Sequence, residues 1–150
     1  MKILLIIIAM IAIAICAYFA YLSMNETNPD TNLVEGKLRP CPTTPNCVHS
    51  ETSGEKFIEP LKPADGTSLD AYWVKTLESL NAMGGEIQSQ DDGFAWATFQ
   101  SKLFKFTDDV ELRKDAETGV IQIRSSSRSG KSDLGVNRKR VEALRLLLES

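Results

Sequence analysis

The chain has 150 residues, with 17 Lys+Arg, 20 Asp+Glu and a single histidine, for a net charge of −3. That length supports one modest hydrophobic core and not two. The negative balance argues against nucleic acid as a partner.

Ile3 to Leu22 is twenty residues without a charge. At ~1.5 Å rise per residue such a helix spans a hydrocarbon core of ~30 Å. Ala12-Ile13-Ala14 lies inside the apolar run, and no clean small-x-small cleavage site follows it. Cys16 invites a lipidation site, but bulky Ile15 occupies the position that wants a small residue. Residues 1–24 are therefore expected to be a retained transmembrane anchor, with a cleaved signal or a lipoprotein as the alternatives. Lys2 favours a cytoplasmic amino terminus, and Glu26 and Asp30 do not oppose it. The expected location is a single pass through the inner (cytoplasmic) membrane. The C-terminal domain then faces the periplasm, or the outside of a cell with one membrane. Residues 25–38 are polar at first, with a proline, and are expected to be a linker. Residues 39–150 form the domain.

Cys41 and Cys47 are the only cysteines beyond the apolar run, in Arg-Pro-Cys-Pro-Thr-Thr-Pro-Asn-Cys. An oxidising compartment makes a short-loop disulfide the leading expectation, contributing about 2 kcal/mol. A redox pair or a thiolate metal site is the alternative, but the spacing is not C-x-x-C and two further zinc ligands are missing. No metal and no cofactor is expected. His49 is read as a surface residue. From Leu33 to Pro63 the chain holds five prolines and little periodicity, so an irregular arm is expected, with Lys56–Glu59 as one short strand.

Leu69, Tyr72, Trp73, Leu77, Leu80 and Met83 fall on one helical stripe, capped by Thr67 or Ser68 and ended by Gly84-Gly85. Strand patterns follow at Glu86–Gln90 and Phe94–Gln100, joined by an Asp92-Gly93 turn, the second continuing toward Phe106. Val110–Arg113 and Val120–Ser125 alternate around a turn at 115–119. Phe94, Trp96, Phe104 and Phe106 are expected in the core. A last helix starts between Asp133 and Asn137 and buries Val141, Leu144 and Leu148, with Leu147 beside them. The expected class is α+β: an N-terminal transmembrane helix, then a two-layer domain of antiparallel meander sheet packed by two helices.

Four motifs occur in order: Cys41-Pro-Thr-Thr-Pro-Asn-Cys47, Phe106-Thr-Asp-Asp-Val-Glu111, Arg124-Ser-Ser-Ser-Arg-Ser-Gly130 and Ser132-Asp-Leu-Gly-Val-Asn-Arg138. Together they resemble the domain-of-unknown-function 1499 family from roughly Arg39 to Leu147, with Glu51–Met83 matching loosely. The resemblance implies a small single-domain protein, exported or membrane-attached. It brings no reaction, and therefore no catalytic roles.

The charge is polarised. Residues 25–101 carry 5 basic and 12 acidic side chains, and residues 102–150 carry 11 and 8. Between Arg124 and Arg140 lie six cations against one acid, Asp133, with five serines and a helix start. Fixed cations, hydroxyls and backbone donors suit an anion. Arg124, Ser126, Arg128, Ser129, Lys131, Asn137, Arg138 and Arg140 are the expected ligand set. Asp109 and Asp133 are the expected structural partners, Asp133 as a helix cap or an ion-pair acceptor. The competing reading has Arg128 or Arg138 buried against these acids, holding the loop to the sheet. Asp109 and Glu111 share a strand face and can pair with Arg113 or Arg124. The serines lack a neighbouring base in sequence and no Gly-x-Ser-x-Gly elbow exists, so catalytic residues stay unassigned. The expected function is a membrane-tethered extracytoplasmic binding or accessory domain for an anion or a lipid headgroup. The alternatives are a hydrolase of an envelope ester or phosphate and a purely structural module docking an envelope protein.

Overall fold

A computed structural model describes residues 1–149. Helix α1 covers Lys2–Met24 and buries none of its residues. It is long and apolar enough to cross a membrane, as an anchor or as a signal sequence. Five strands follow: β1 (Cys47–His49), β2 (Glu86–Gln90), β3 (Phe94–Gln100), β4 (Thr107–Asp115) and β5 (Val120–Ser127). Helix α2 (Leu69–Ala82) precedes β2 and helix α3 (Val136–Glu149) follows β5. The sheet is antiparallel in the order β1-β5-β4-β3-β2, a four-stranded meander extended at one edge by β1. Both helices pack on one face, giving the α+β two-layer architecture that the periodicities imply.

The Ser68 hydroxyl starts α2 by accepting the Ala71 amide at 3.2 Å. Its end needs both glycines. Gly84 adopts φ +89°, and a Cβ on Gly85 would stand 2.7 Å from the Phe99 ring and 2.8 Å from the Leu80 carbonyl oxygen. The chain therefore turns tightly from α2 into β2, with Phe99 closing over the turn.

The core lies between the helices and one sheet face. Tyr72, Trp73 and Leu80 from α2 and Val141, Leu144 and Leu148 from α3 cover Ala95, Ala97, Val110, Leu112, Ile121 and Ile123. Leu69, Leu77 and Met83 border it, while Leu147 stays exposed. The arm adds Val48, Ile58 and Leu61, the last pairing its backbone with Ile121 in both directions at 2.9 Å. Two details of the arm differ from expectation. Its strand is β1, at Cys47–His49, whereas Lys56–Glu59 holds only the end of a 3-10 turn and a single bridge from Phe57 to His49.

The aromatic residues of the third strand also fall elsewhere than expected. In β3 the buried positions facing the helices are Ala95 and Ala97; Phe94 and Trp96 are half-buried on the opposite face. Small residues let the helices approach the sheet, while the Trp96 indole needs a polar partner, which that other face provides. Phe104 and Phe106 are not core residues. Strand β3 ends at Gln100, and both rings lie in the following loop, beside Phe19 of α1, at centroid distances of 5.1 and 6.2 Å.

Candidate functional site

Alternation gives the sheet a second face with different chemistry. Opposed residues in neighbouring strands point the same way, so the register stacks side chains in rows across the sheet. One row runs Trp96, Glu111, Arg124, His49; the next runs Thr98, Asp109, Ser126, Cys47. These side chains project away from the helices. The proline-rich arm folds over them, and a disulfide joins Cys41 in the arm to Cys47 in β1, with Cα atoms 5.7 Å apart. The result is a face of buried charges. Asp109, Glu111 and Arg124 are 2%, 1% and 3% exposed, and such burial demands pairing.

Each charge has a named partner. Glu111 Oε1 accepts from Arg124 Nη1 at 2.9 Å and from Arg39 Nε at 2.7 Å. Asp109 receives a two-pronged contact from Arg128, Nε to Oδ2 at 3.0 Å and Nη2 to Oδ1 at 2.8 Å, and a third bond from the Trp96 indole at 2.8 Å. The Arg128 guanidinium also lies over the Trp96 ring, 5.8 Å from its centroid. The remaining Arg128 nitrogen, Nη1, donates to Asn28 Oδ1 at 2.7 Å, tying the segment just past α1 to the sheet. Farther along, Glu51 accepts from the Leu38 amide and from Arg113. His49, expected at the surface, is instead buried beside these groups because β1 pairs it into the covered face, and among the described residues neither ring nitrogen is hydrogen-bonded. Burial lowers its pKa, Glu51 opposes that shift, and Arg124 adds to it.

A cleft of about 450 Å³ opens over this face. Arg39, Arg124, Arg128, Asp109 and Ser126 line it from the sheet and arm, and Thr27 and Pro29 line it from the segment that follows α1. Three guanidiniums border the cleft, but only two carboxylates, Asp109 and Glu111, hold them. One carboxylate serves two arginines, which leaves one positive charge in excess. Among the described residues, Arg124 Nε and Glu111 Oε2 are both buried without a hydrogen-bond partner. Burial lowers the Arg124 pKa despite the opposing pull of Glu111.

The structure does not bring the whole expected ligand set together. Arg124, Ser126 and Arg128 meet at this cleft. Asn137 and Arg140 lie on the helix side of β5 instead. There Arg140 bonds Asp108, Ser125 and Asn137 and covers the Phe99 ring at 4.6 Å. Asn137 is fully buried and bonds the Asn46 carbonyl and the Ser127 hydroxyl, each at 3.0 Å. Arg138 donates to the carbonyls of Glu55 and Phe57. Ser129 is half-buried and Lys131 exposed in the connecting loop. Asp133 caps α3, its carboxylate accepting from the amides of Gly135 and Asn137 at 3.1 and 2.8 Å. Burial disfavours the charged form of Asp133, but those amides outweigh it and hold the carboxyl below its ordinary value. Among the ion pairs, Glu111 with Arg124 and Asp109 with Arg128 match the structural reading of the sequence. Sequence reasoning missed Arg39, Glu51 and Asn28. The available signal for Arg39 was its place two residues before Cys41, where the disulfide loop pins the arm against the sheet.

Two predictions follow from this geometry. Arg128→Ala strands the Asp109 carboxylate in a site that is 2% exposed, so chemical denaturation will show a loss of about 3–5 kcal/mol. The double variant Asp109→Ala/Arg128→Ala will recover part of that loss. The second concerns pH. A base whose pKa is lowered by folding binds fewer protons folded than unfolded, so its stabilising contribution is complete above the unfolded value of about 6.5 and falls away as pH drops below it. His49 is the one histidine. Unfolding free energy will therefore fall between pH 7 and pH 5, and His49→Gln will flatten that slope.

No curated protein matches the chain. A family model described as "Protein of unknown function (DUF1499)" matches residues 37–148, a span that takes in the arm from just before Arg39, all five strands, α2 and nearly all of α3. The chain belongs to the DUF1499 family.

Proposed function

We propose that this protein is a membrane-tethered, extracytoplasmic binding module that receives an anionic group, of phosphate type, in the cleft between Arg39, Arg124 and Arg128. The carrying observation is the charge count: three guanidiniums gather at one opening and only two carboxylates hold them. Planar guanidinium donors favour phosphate or carboxylate over a halide. The Ser126 side chain lies opposite Asp109 and Cys47 in the same row and supplies a hydroxyl. Ser129 and Lys131 sit in the loop beyond Arg128 and are the outer members of the set.

Two further features support the tethered setting. Thr27 and Pro29 line the cleft within five residues of the end of α1 at Met24, so a retained anchor brings the opening to the level of lipid headgroups, where a cation gains about 1 kcal/mol from an anionic surface. The Cys41–Cys47 disulfide suits an oxidising compartment outside the cytoplasm. With Lys2 on the cytoplasmic side, the orientation is a single pass through the cytoplasmic membrane with the domain outside.

Arg39→Gln tests the reading with little structural cost. It leaves the Glu111–Arg124 pair in place and removes the more exposed of the two cations that share Glu111. With the full chain in detergent, inorganic phosphate at ten times its dissociation constant will stabilise the parent by about 1.4 kcal/mol. Arg39→Gln will abolish that shift while lowering basal stability by less than about 1.5 kcal/mol. A soluble glycerophosphate headgroup compared with inorganic phosphate separates lipid from free anion. A parent protein indifferent to both contradicts the proposal.

A further inference from the structure

The β3–β4 connection, Ser101-Lys-Leu-Phe-Lys-Phe106, carries three large apolar side chains that the domain core does not use. Leu103 is 79% exposed, and Lys102 and Lys105 are exposed on either side of Phe104. Lys105 holds a left-handed φ of +60°, and the loop is closed by Ser101, whose backbone amide donates to the Phe106 carbonyl and whose hydroxyl accepts the Phe106 amide. The loop is thus a fixed feature that presents Leu103 outward, with Phe104 and Phe106 half-buried beside it.

Its neighbour identifies what it faces. Phe104 and Phe106 pack on Phe19 of α1, at 5.1 and 6.2 Å between ring centroids. Phe19 lies five residues before the end of the helix at Met24, or about 7.5 Å along the axis at 1.5 Å per residue. Tyr18 and Tyr21 are exposed around it, an aromatic collar of the kind that settles at a membrane–water boundary. The loop is held there from a second point, since the Thr107 amide donates to Glu26 Oε2 at 2.9 Å. Apolar side chains at this depth meet acyl chains, and flanking lysines meet headgroup phosphates.

We infer that the Ser101–Phe106 loop is a second membrane contact, inserting Leu103, Phe104 and Phe106 into the bilayer boundary beside α1 and seating the domain on the lipid surface. Docking of this loop is separate from the anion cleft: it uses none of the cleft residues. It does rest on α1 being retained as the anchor.

The test places a nitroxide at Leu103→Cys in a Cys16→Ser background, labelled without reductant so that the Cys41–Cys47 bridge stays closed. The full chain is reconstituted in nanodiscs of phosphatidylcholine with phosphatidylglycerol. Val74→Cys, on an exposed position of α2, is the aqueous control. Collision of the label with oxygen relative to a water-soluble nickel complex reads depth. The Leu103 label will show a ratio several-fold above that at Val74. A ratio equal to the Val74 control overturns the inference. So does a label shielded from both reagents, which reports a protein partner or a second copy covering the loop. Intact mass of the same sample shows whether α1 is present; a mature chain lacking Phe19 also overturns the inference, and the mass distinguishes that outcome from a retained anchor whose loop stays in water.

Discussion

The Glu111 carboxylate is the interaction on which the second face of this sheet depends. It sits in the middle of β4, 1% exposed, with Arg124 opposite it in β5 and Arg39 reaching over from the arm. A carboxylate in that position is tolerable only while a cation holds it, and the cation in turn is tolerable only while the carboxylate holds it. The arm, the disulfide and the strand register are therefore mutually conditional. Remove the register and Glu111 no longer meets Arg124; remove the arm and both lose their cover from water.

The domain is consequently buried on two faces by different means. Helices α2 and α3 cover one face with hydrocarbon, in the ordinary manner of a two-layer fold. On the other, an arm with almost no regular structure covers a polar network that specifies geometry through directional bonds. Such a network fixes where each guanidinium points, and it leaves one more cation than anion at the cleft. The same face adjoins the segment leading from α1, through Asn28 on Arg128 and Thr27 and Pro29 at the cleft wall. Strand register, the segment after α1 and the cleft thus form one continuous arrangement.

Much of this was legible in the sequence because it is periodic. The stripe of α2, the stripe of α3, the alternation of β4 and β5 and the placement of Asp109 and Glu111 on a common face all follow from spacing alone. Asp133 as a cap and the Cys41–Cys47 bridge follow from local chemistry. What failed is equally specific. Phe94 and Trp96 were expected in the core because large aromatic residues seek burial, but both sides of this sheet are covered, so hydrophobicity does not say which side they take. Phe104 and Phe106 carry a core-like pattern because they answer to α1, not to the domain. The cysteine pair marks Arg39 as lying near the sheet, but not its partner, which is 72 residues away, since no periodicity links an irregular arm to a strand. The basic run appeared as one cluster, yet β5 ends within it and its cations go to both sides of the sheet.

The sharing of Glu111 by two arginines is the central claim, and a double-mutant cycle measures it directly. Either arginine alone can neutralise Glu111, so Arg39→Gln and Arg124→Gln each leave one partner in place. The combined variant leaves none. The account predicts that unfolding free energies will be strongly non-additive, with the double variant losing about 1–3 kcal/mol more than the sum of the single losses. Additive losses within ~0.5 kcal/mol would mean that the two arginines act independently of Glu111 and would contradict it.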